Sequence, residues 1–298
     1  MKKILITGAG SRVGMTFENW IKQWPNQYDV DALDMTTDAW KEYDFTGYDA
    51  VYHVSGIAHV SLNPSMEDLF YRVNRDLTIE TAKYAKKAGV KQFIFMSSGI
   101  VYGDSSDYGV PLVITKETKP NPSNFYGMSK LQAEEGLQEL EDQFFKVVII
   151  RSPALYGIGM KSHYNNLSDY AKKYPIFVKL QNERSMLYNK NLAEFVRLMI
   201  VNEERGIFWP QNKEYTSTAG IIQDVAEQHG RKMIMVPIWK PFVKLGMKVM
   251  PAARKALGNF VYDQSISEYK QEYRLYSYKE SIKEIETSDQ MLEVGKLM

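Results

Sequence analysis

The sequence contains no cysteine. That excludes disulfides, a thiolate nucleophile and cysteine-ligated zinc, and it fits a reducing compartment. Histidine is scarce. His53, His59, His163 and His229 show neither the HExxH nor the HxH spacing of an imidazole-built metal site, so no metal is expected. An excess of one charge is also missing. Lys and Arg number 37 against 36 Asp and Glu, a formal net charge of +1, so no global field draws the chain to nucleic acid. No apolar run reaches the roughly 18 residues of a membrane span, and none near the N-terminus has the length of a signal peptide. These absences lead to the expectation of a cytoplasmic protein. The 298 residues, 44% hydrophobic and 24% charged, have the composition of a soluble globular chain with one large or two ordinary domains.

The most informative stretch is Tyr126-Gly127-Met128-Ser129-Lys130. On a helix, a phenol and an ammonium four residues apart share one face. A free tyrosine titrates near about 10, too high for a base at neutral pH. A lysine charge one turn away is expected to favour the phenolate and lower that value. Such a pair can exchange a proton with a substrate hydroxyl. Alone, the spacing is common on ordinary helices, and the rest of the chain must decide.

Lys3-Ile4-Leu5-Ile6-Thr7 reads as a buried parallel strand. Gly8-Ala9-Gly10-Ser11-Arg12-Val13-Gly14 follows, then an amphipathic helix through Trp20 and Ile21. Strand, glycine loop and helix form the context in which backbone amides and a helix N-terminus hold a pyrophosphate. The strict G-x-G-x-x-G spacing is not met. Asp34 closes the next strand, twenty residues after Gly14. A carboxylate there suits the ribose hydroxyls of NAD and repels the extra phosphate of NADP. Arg12 is the opposing signal, and NAD is preferred over NADP. A third strand, Asp49 to Gly56, ends in small residues. A fourth, Phe93 to Met96, runs into Ser97-Ser98-Gly99-Ile100-Val101-Tyr102-Gly103. Strand and helix alternate throughout, a doubly wound layout.

With Ser97-Ser98-x-x-Val101-Tyr102-Gly103 and Tyr126-x-x-x-Lys130 in one chain, the sequence resembles the extended short-chain dehydrogenases, and within them the NAD-dependent epimerase/dehydratase family that acts on nucleotide sugars. The likeness runs from Ile4 to about Ile285. The family's T-G-x-x-G-x-x-G appears as Thr7 to Gly14, with Ser11 at the central glycine. The resemblance implies cofactor contacts at Gly8, Gly10, Ser11, Arg12, Val13 and Gly14, at Asp34, and at the Asp44-Phe45 pair against adenine. It adds Val54, Ser55 and Gly56 of His53-Val54-Ser55-Gly56, then Asn74, Ser152, Tyr126 and Lys130. It implies a catalytic set of Ser98, Tyr126 and Lys130. Ser98 would bond the reacting sugar oxygen, Tyr126 would take its proton, and Lys130 would hold the nicotinamide ribose and depress the pKa of Tyr126. Sugar 4,6-dehydratases carry Asp-Glu after the active-site serine or threonine. Here Gly99 and Ile100 stand there, which argues against that reaction.

Beyond the strand Lys146–Arg151, Pro153-x-x-Tyr156-Gly157 resembles the family's exit from the nucleotide domain. Ala154 replaces an asparagine that touches the sugar nucleotide in many relatives. Arg184 falls where relatives bind the diphosphate, a role a guanidinium suits. A second diphosphate arginine has no match. From Gln228 to Tyr262 there is no acidic residue, and Lys240, Lys244 and Lys248 recur every four residues. The stretch 231–255 suits a helix on an anionic membrane surface, a lid, or a packed helix with a solvated face. Segments resembling the family's ending, Asp263-Gln264-Ser265 and Ser277 to Ser281, place the chain's end near the family's own. The expectation is an α/β protein. Residues 1–157, completed by parts of 188–215, form a Rossmann-type, NAD-binding, doubly wound parallel sheet, and 158–298 form a smaller C-terminal substrate-binding domain. The implied activity is 4-epimerisation of a nucleotide sugar, with a UDP-linked hexose or N-acetylhexosamine expected, for cell-surface polysaccharide, with a 4-keto-sugar reductase using NAD(P)H as the alternative and a non-catalytic dinucleotide sensor third. A homodimer is implied by resemblance only.

Overall fold

The computed structural model describes residues 1–58, 63–107, 109–237 and 257–288. The chain divides into two compact units. The first takes 1–103, 119–152 and 192–210, and the second takes 104–118, 153–191 and 211–298.

In the first unit six parallel strands form one sheet: β1 (Lys2–Thr7), β2 (Tyr28–Leu33), β3 (Ala50–His53), β4 (Gln92–Ser98), β5 (Lys146–Ser152) and β6 (Gly206–Phe208). Their spatial order is β6-β5-β4-β3-β1-β2. Between β1 and β3 the order reverses, the switch point at which open parallel sheets bind ligands beyond their C-terminal ends. The register is continuous across that edge: Thr7 pairs with Leu33 on one side and His53 on the other, and Ser98 pairs with Ser152.

The apolar runs are explained by burial on both faces. Alternate residues Leu5, Val51, Phe93, Phe95, Val147 and Ile149 share one core with Ala82 and Ala85 of helix α2 (Leu77–Lys87) and Ala133 and Leu137 of helix α3 (Phe125–Leu140). The opposite face meets helix α1 (Arg12–Ile21), where Phe17 packs edge-on against Tyr52 at 5.2 Å. Each such side chain, fully buried, contributes roughly 1.5–3 kcal/mol. Gly89 follows α2 with φ +83°, the left-handed stop that a glycine gives a helix.

The second unit is built differently. Short parallel strand pairs (Ala154–Tyr156 with Met186–Tyr188, Ile176–Val178 with Ile234–Val236, Val113–Ile114 with Val261–Tyr262) replace a wide sheet. Helices His163–Lys173, Thr218–Gln228 and Tyr278–Thr287 close its core. Ser277 and Glu280 form the capping box of the last helix. Buried tyrosines dominate, and three of their hydroxyls tie the core together: Tyr156 with Ser281 at 2.6 Å, Tyr164 with Glu286 at 2.6 Å, Tyr188 with Glu284 at 2.8 Å. Among the described residues no helix is long and apolar enough to cross a membrane. His59 and most of the basic stretch, including Lys240, Lys244 and Lys248, lie outside the described residues.

Candidate active site

Successive residues of a strand point to opposite faces, and the end of β4 uses this to separate two serines. Ser97 turns inward, is buried, and donates its hydroxyl to Glu134. Ser98 is partly exposed, accepts the Ile100 N–H at 3.3 Å, and is hydrogen-bonded to Tyr126.

Tyr126 reaches Ser98 because α3 starts unusually close to the turn that follows β4. Asn124 caps the helix, its Oδ1 accepting the Gly127 N–H at 3.0 Å. A Cβ on Gly127 would stand 2.7 Å from the carbonyl oxygen of Ile100, so glycine is required for this approach. Phe70 backs the phenol edge-on at 5.7 Å.

One expectation is corrected here. Lys130 is one turn along the same helix, yet the pKa of Tyr126 is raised, not lowered. Burial pushes it up, and only the Ser98 hydrogen bond opposes this. The Lys130 ammonium is turned to the sheet instead. It donates to the Met96 carbonyl at 2.8 Å and lies 4.6 Å from the centre of the Phe95 ring. Burial lowers its own pKa to about 8, against a counteracting attraction from Glu134.

Asn74 is fully buried in a π-helical turn, Tyr71–Asp76, that leads into α2. Such turns often mark functional sites. Its Oδ1 accepts the Ile57 N–H at 2.8 Å, and its Nδ2 donates to the Ile57 carbonyl at 3.2 Å and to Ser129 Oγ at 3.3 Å. Gly56 lies against both Asn74 and Lys130. The structure thus gathers Gly56, Asn74, Ser98, Tyr126 and Lys130 at the ends of β3 and β4. His53 stands behind them, fully buried between Thr7 at 2.8 Å and Thr78 at 3.0 Å. Burial, aided by the Lys130 charge, lowers its pKa to about 3. Thr78 donates onward to the Asn74 carbonyl at 2.9 Å, so Nε2 of His53 carries the proton and Nδ1 accepts from Thr7.

The glycine loop follows β1. A Cβ on Gly8, at φ +120°, would stand 2.8 Å from the Ser55 amide nitrogen, and Gly10 has φ +78° with open space around it. Ser11 is the N-cap of α1, accepting the Gly14 N–H at 3.0 Å, with φ −66°. An ordinary backbone there accounts for a serine where the motif has glycine. Arg12 and Val13 open the helix, and Gly14 is buried in its first turn. Val54 and Ser55 pass beside Gly8, with Ser55 Oγ donating to the Thr7 carbonyl at 3.1 Å. Asp34 is exposed just past β2. It accepts the Thr36 N–H and O–H, both at 2.9 Å, and these bonds lower its pKa. Asp44 is exposed and bonded to Thr46, whereas Phe45 is buried in the core against Trp40 and Tyr43. Ser152 is buried at the end of β5 beside Ser98.

Sequence reading missed the charged group beneath this site. Glu134 accepts from Ser97 and from Arg151, whose Nη2 lies at 2.6 Å. Arg151 Nη1 donates to Tyr102 at 2.7 Å, and Trp209 Nε1 donates to the same hydroxyl at 2.7 Å. The available signal was spacing: Glu134 stands four residues after Lys130 and eight after Tyr126, an acid on the helix face that the apolar pattern turns inward.

In the second unit, Arg184 is bound through its backbone to Thr216 in both directions, at 2.8 and 3.0 Å. Burial lowers the guanidinium pKa, and burial with the Arg184 charge lowers that of His163. An open cleft of about 540 Å³ in the same unit is lined by Asn182, Glu183, Tyr215, Ser217 and Asn259 among others. Among the described residues no three His, Asp or Glu are grouped to hold a metal ion.

Residues 5–208 match the model of the NAD dependent epimerase/dehydratase family. A UDP-glucose 4-epimerase of Vibrio cholerae is 32% identical over 230 residues, 73% of this chain and 69% of that relative. The chain spans less than two thirds of several other curated relatives. Two solved structures share the fold. A UDP-N-acetylglucosamine 4-epimerase from Bacillus cereus has a TM-score of 0.75 at 17% identity, over 96% of this chain and 98% of that one. A dTDP-4-dehydrorhamnose reductase from Clostridium acetobutylicum has a TM-score of 0.73 at 19% identity, over 99% and 100%. A strand-ending serine bonded to a helix-borne tyrosine, on a parallel sheet matched over most of its length, places this chain in the NAD dependent epimerase/dehydratase family as one of its enzymes.

Proposed function

We propose that this enzyme is an NAD-dependent 4-epimerase of a UDP-linked hexose or N-acetylhexosamine, acting through a 4-keto sugar. The observation that carries the reading is the Ser98–Tyr126 hydrogen bond, with Lys130 on the next turn of the helix. The similarity to UDP-sugar 4-epimerases supports the choice of reaction and nucleotide.

The residues present fit a dinucleotide. The left-handed backbone at Gly8 and Gly10 opens a side-chain-free cradle at the N-terminus of α1, whose amides and dipole favour a diphosphate. Exposed, ionised Asp34 would take ribose hydroxyls, which favours NAD over NADP. Asn74, Gly56 and Lys130 would hold the nicotinamide half. When bound, NAD supplies the hydride acceptor and donor. The chain's own groups handle the proton. Ser98 orients the sugar oxygen. Tyr126, a phenol in the free enzyme because burial raises its pKa, returns a proton to that oxygen in one direction and accepts it in the other. In the second unit, Arg184 is proposed as a phosphate ligand, desolvated and therefore strong in its bonds.

The test begins by denaturing the purified protein and identifying any released nucleotide. Native enzyme is then incubated with UDP-glucose or UDP-N-acetylglucosamine without added cofactor. Bound NAD and formation of the galacto epimer are expected. A protein that leaves both sugars untouched and consumes added NAD(P)H only with a 4-keto sugar would establish a reductase instead.

A further inference from the structure

Glu134 and Arg151 form an ion pair that the proposed reaction does not use. Their side chains are 1% and 7% exposed, and Arg151 binds the carboxylate through Nη2 at 2.6 Å and Nε at 3.1 Å. A buried pair of this kind is a poor source of stability, because desolvation offsets the attraction and apolar residues of similar volume often serve as well. Its partners suggest another role. The carboxylate also accepts from Ser97, the residue before Ser98. The guanidinium also donates to Tyr102, at 2.7 Å, the last residue of the turn that follows Ser98. Trp209 fixes that hydroxyl from β6's side of the chain, at 2.7 Å. Glu134 itself lies on α3, one turn beyond Lys130 and two beyond Tyr126.

We propose that the Glu134–Arg151 pair is the positioning element of the catalytic group, one contact that locks the strand end before Ser98, the turn after it and the helix that carries Tyr126 and Lys130. The proposal rests on the reading that those three residues do the chemistry. Proton exchange needs heavy-atom distances held to within about half an ångström, and a rigid charged clamp shared by three elements holds them. The pair also acts on Lys130 electrically. The other groups around that ammonium are the Met96 carbonyl and Phe95 ring from β4, His53 from β3, which burial keeps neutral, and Asn74 from the π-helical turn. Among the described residues, Glu134 is the negative charge that acts on it, and it favours the ammonium against the burial that lowers the Lys130 pKa to about 8.

Two variants of the full chain test this: Glu134→Gln, which keeps shape and removes charge, and the double variant Glu134→Leu/Arg151→Met, which keeps a filled core. The readouts are kcat and KM for the UDP-sugar, thermal unfolding, and titration of Lys130 by carbon NMR of labelled lysine, assigned against Lys130→Met. In Glu134→Gln the Lys130 midpoint and the alkaline limb of kcat move to lower pH, and kcat falls roughly 10–100-fold with KM little changed. The double variant unfolds near the native temperature but is equally slow, which a merely structural pair would not produce. A folded double variant with native kcat overturns the proposal, as does an unmoved Lys130 midpoint with native kcat in Glu134→Gln. If the native enzyme turns over no UDP-sugar, the functional reading fails separately, and an unmoved Lys130 midpoint still overturns the clamp.

Discussion

Among the described residues, each unit of this enzyme holds a carboxylate whose side chain is almost completely buried, and the two do different work. Glu134 in the first unit and Glu286 in the second each have side chains 1% exposed. Glu286 accepts from Tyr164 at 2.6 Å and Ser168 at 2.9 Å, pairs with Lys172 at 2.7 Å, and meets His229 at 2.8 Å. Residues 164, 168 and 172 stand at helical spacing on one face of His163–Lys173. Glu286 therefore staples helix to helix. Burial pushes its pKa up, and these donors outweigh burial and bring it down. Glu134 uses the same chemistry on strand ends, where its neighbours are Ser97, Arg151 and, one turn away, Lys130. The interaction type does not decide the role of a buried acid. What it is tied to decides.

The sharpest separation of chemistry from stability is expected at Tyr126. Tyr126→Phe should lower kcat roughly 10²–10⁴-fold while calorimetry shows an unfolding temperature close to native. A variant that keeps its turnover would remove the chemistry from the first unit and dissolve the contrast. The mirror experiment is Glu286→Ala. It strands two hydroxyls and a lysine, so unfolding in urea should cost about 3 kcal/mol, with kcat of the folded enzyme unchanged. A large loss of kcat at native stability would make the staple catalytic after all.

Acid should distinguish the units by order. His53 in the first unit is held neutral, with its pKa lowered from 6.5 to about 3. The unfolded chain takes up that proton below about pH 6.5 and the folded chain does not, so stability falls progressively from there toward about pH 3. Glu286 has its pKa lowered from 4.5, so its contribution is present above that value and is lost only as pH falls below it. Hydrogen exchange at descending pH should show protection around β3 weakening before protection in helix Tyr278–Thr287. His53→Gln should delay that weakening. Loss of the C-terminal helix first would reverse the assignment.

The smallest effect concerns tyrosine hydroxyls. Tyr52 is fully buried and its hydroxyl has no hydrogen-bond partner among the described residues. Tyr52→Phe should be neutral or stabilising by up to about 1 kcal/mol. Tyr156 in the second unit bonds Ser281 at 2.6 Å and Asn212 at 2.8 Å, so Tyr156→Phe should cost about 1–2 kcal/mol. Equal thermal shifts for the two would contradict the hydrogen-bond assignment.

Much of the first unit was legible because its strands are apolar on both faces. Lys3–Thr7 and Lys146–Arg151 are expected from composition, and the observed strands extend each by one residue. Asp49–Gly56 was read as one strand, but pairing ends at His53. The chain then turns so that Ser55 can bond Thr7 and Gly56 can meet Asn74, and small residues alone do not show where that turn begins. The alternation of the strand gives Ser98 to Tyr126 and Ser97 to Glu134. The expected lowering of the Tyr126 pKa by Lys130 is not found, since helical spacing places the Lys130 Cα and says nothing of the Met96 carbonyl that takes its ammonium.

Local pattern, by itself, determined the layered α/β layout, the glycine loop at the start of α1 and the presence of a tyrosine and a lysine on one helical face. Periodicity and backbone chemistry act over a few residues and are written in the chain. Only the tertiary structure decided the protonation of the site and what braces it. The raised pKa of Tyr126, the neutral His53 and the Glu134–Arg151 clamp all depend on burial and on partners distant in the chain, 17 residues apart for Glu134 and Arg151 and 49 for Tyr102 and Arg151. Burial fixes the free energy of each charge, and burial exists only once distant segments have packed.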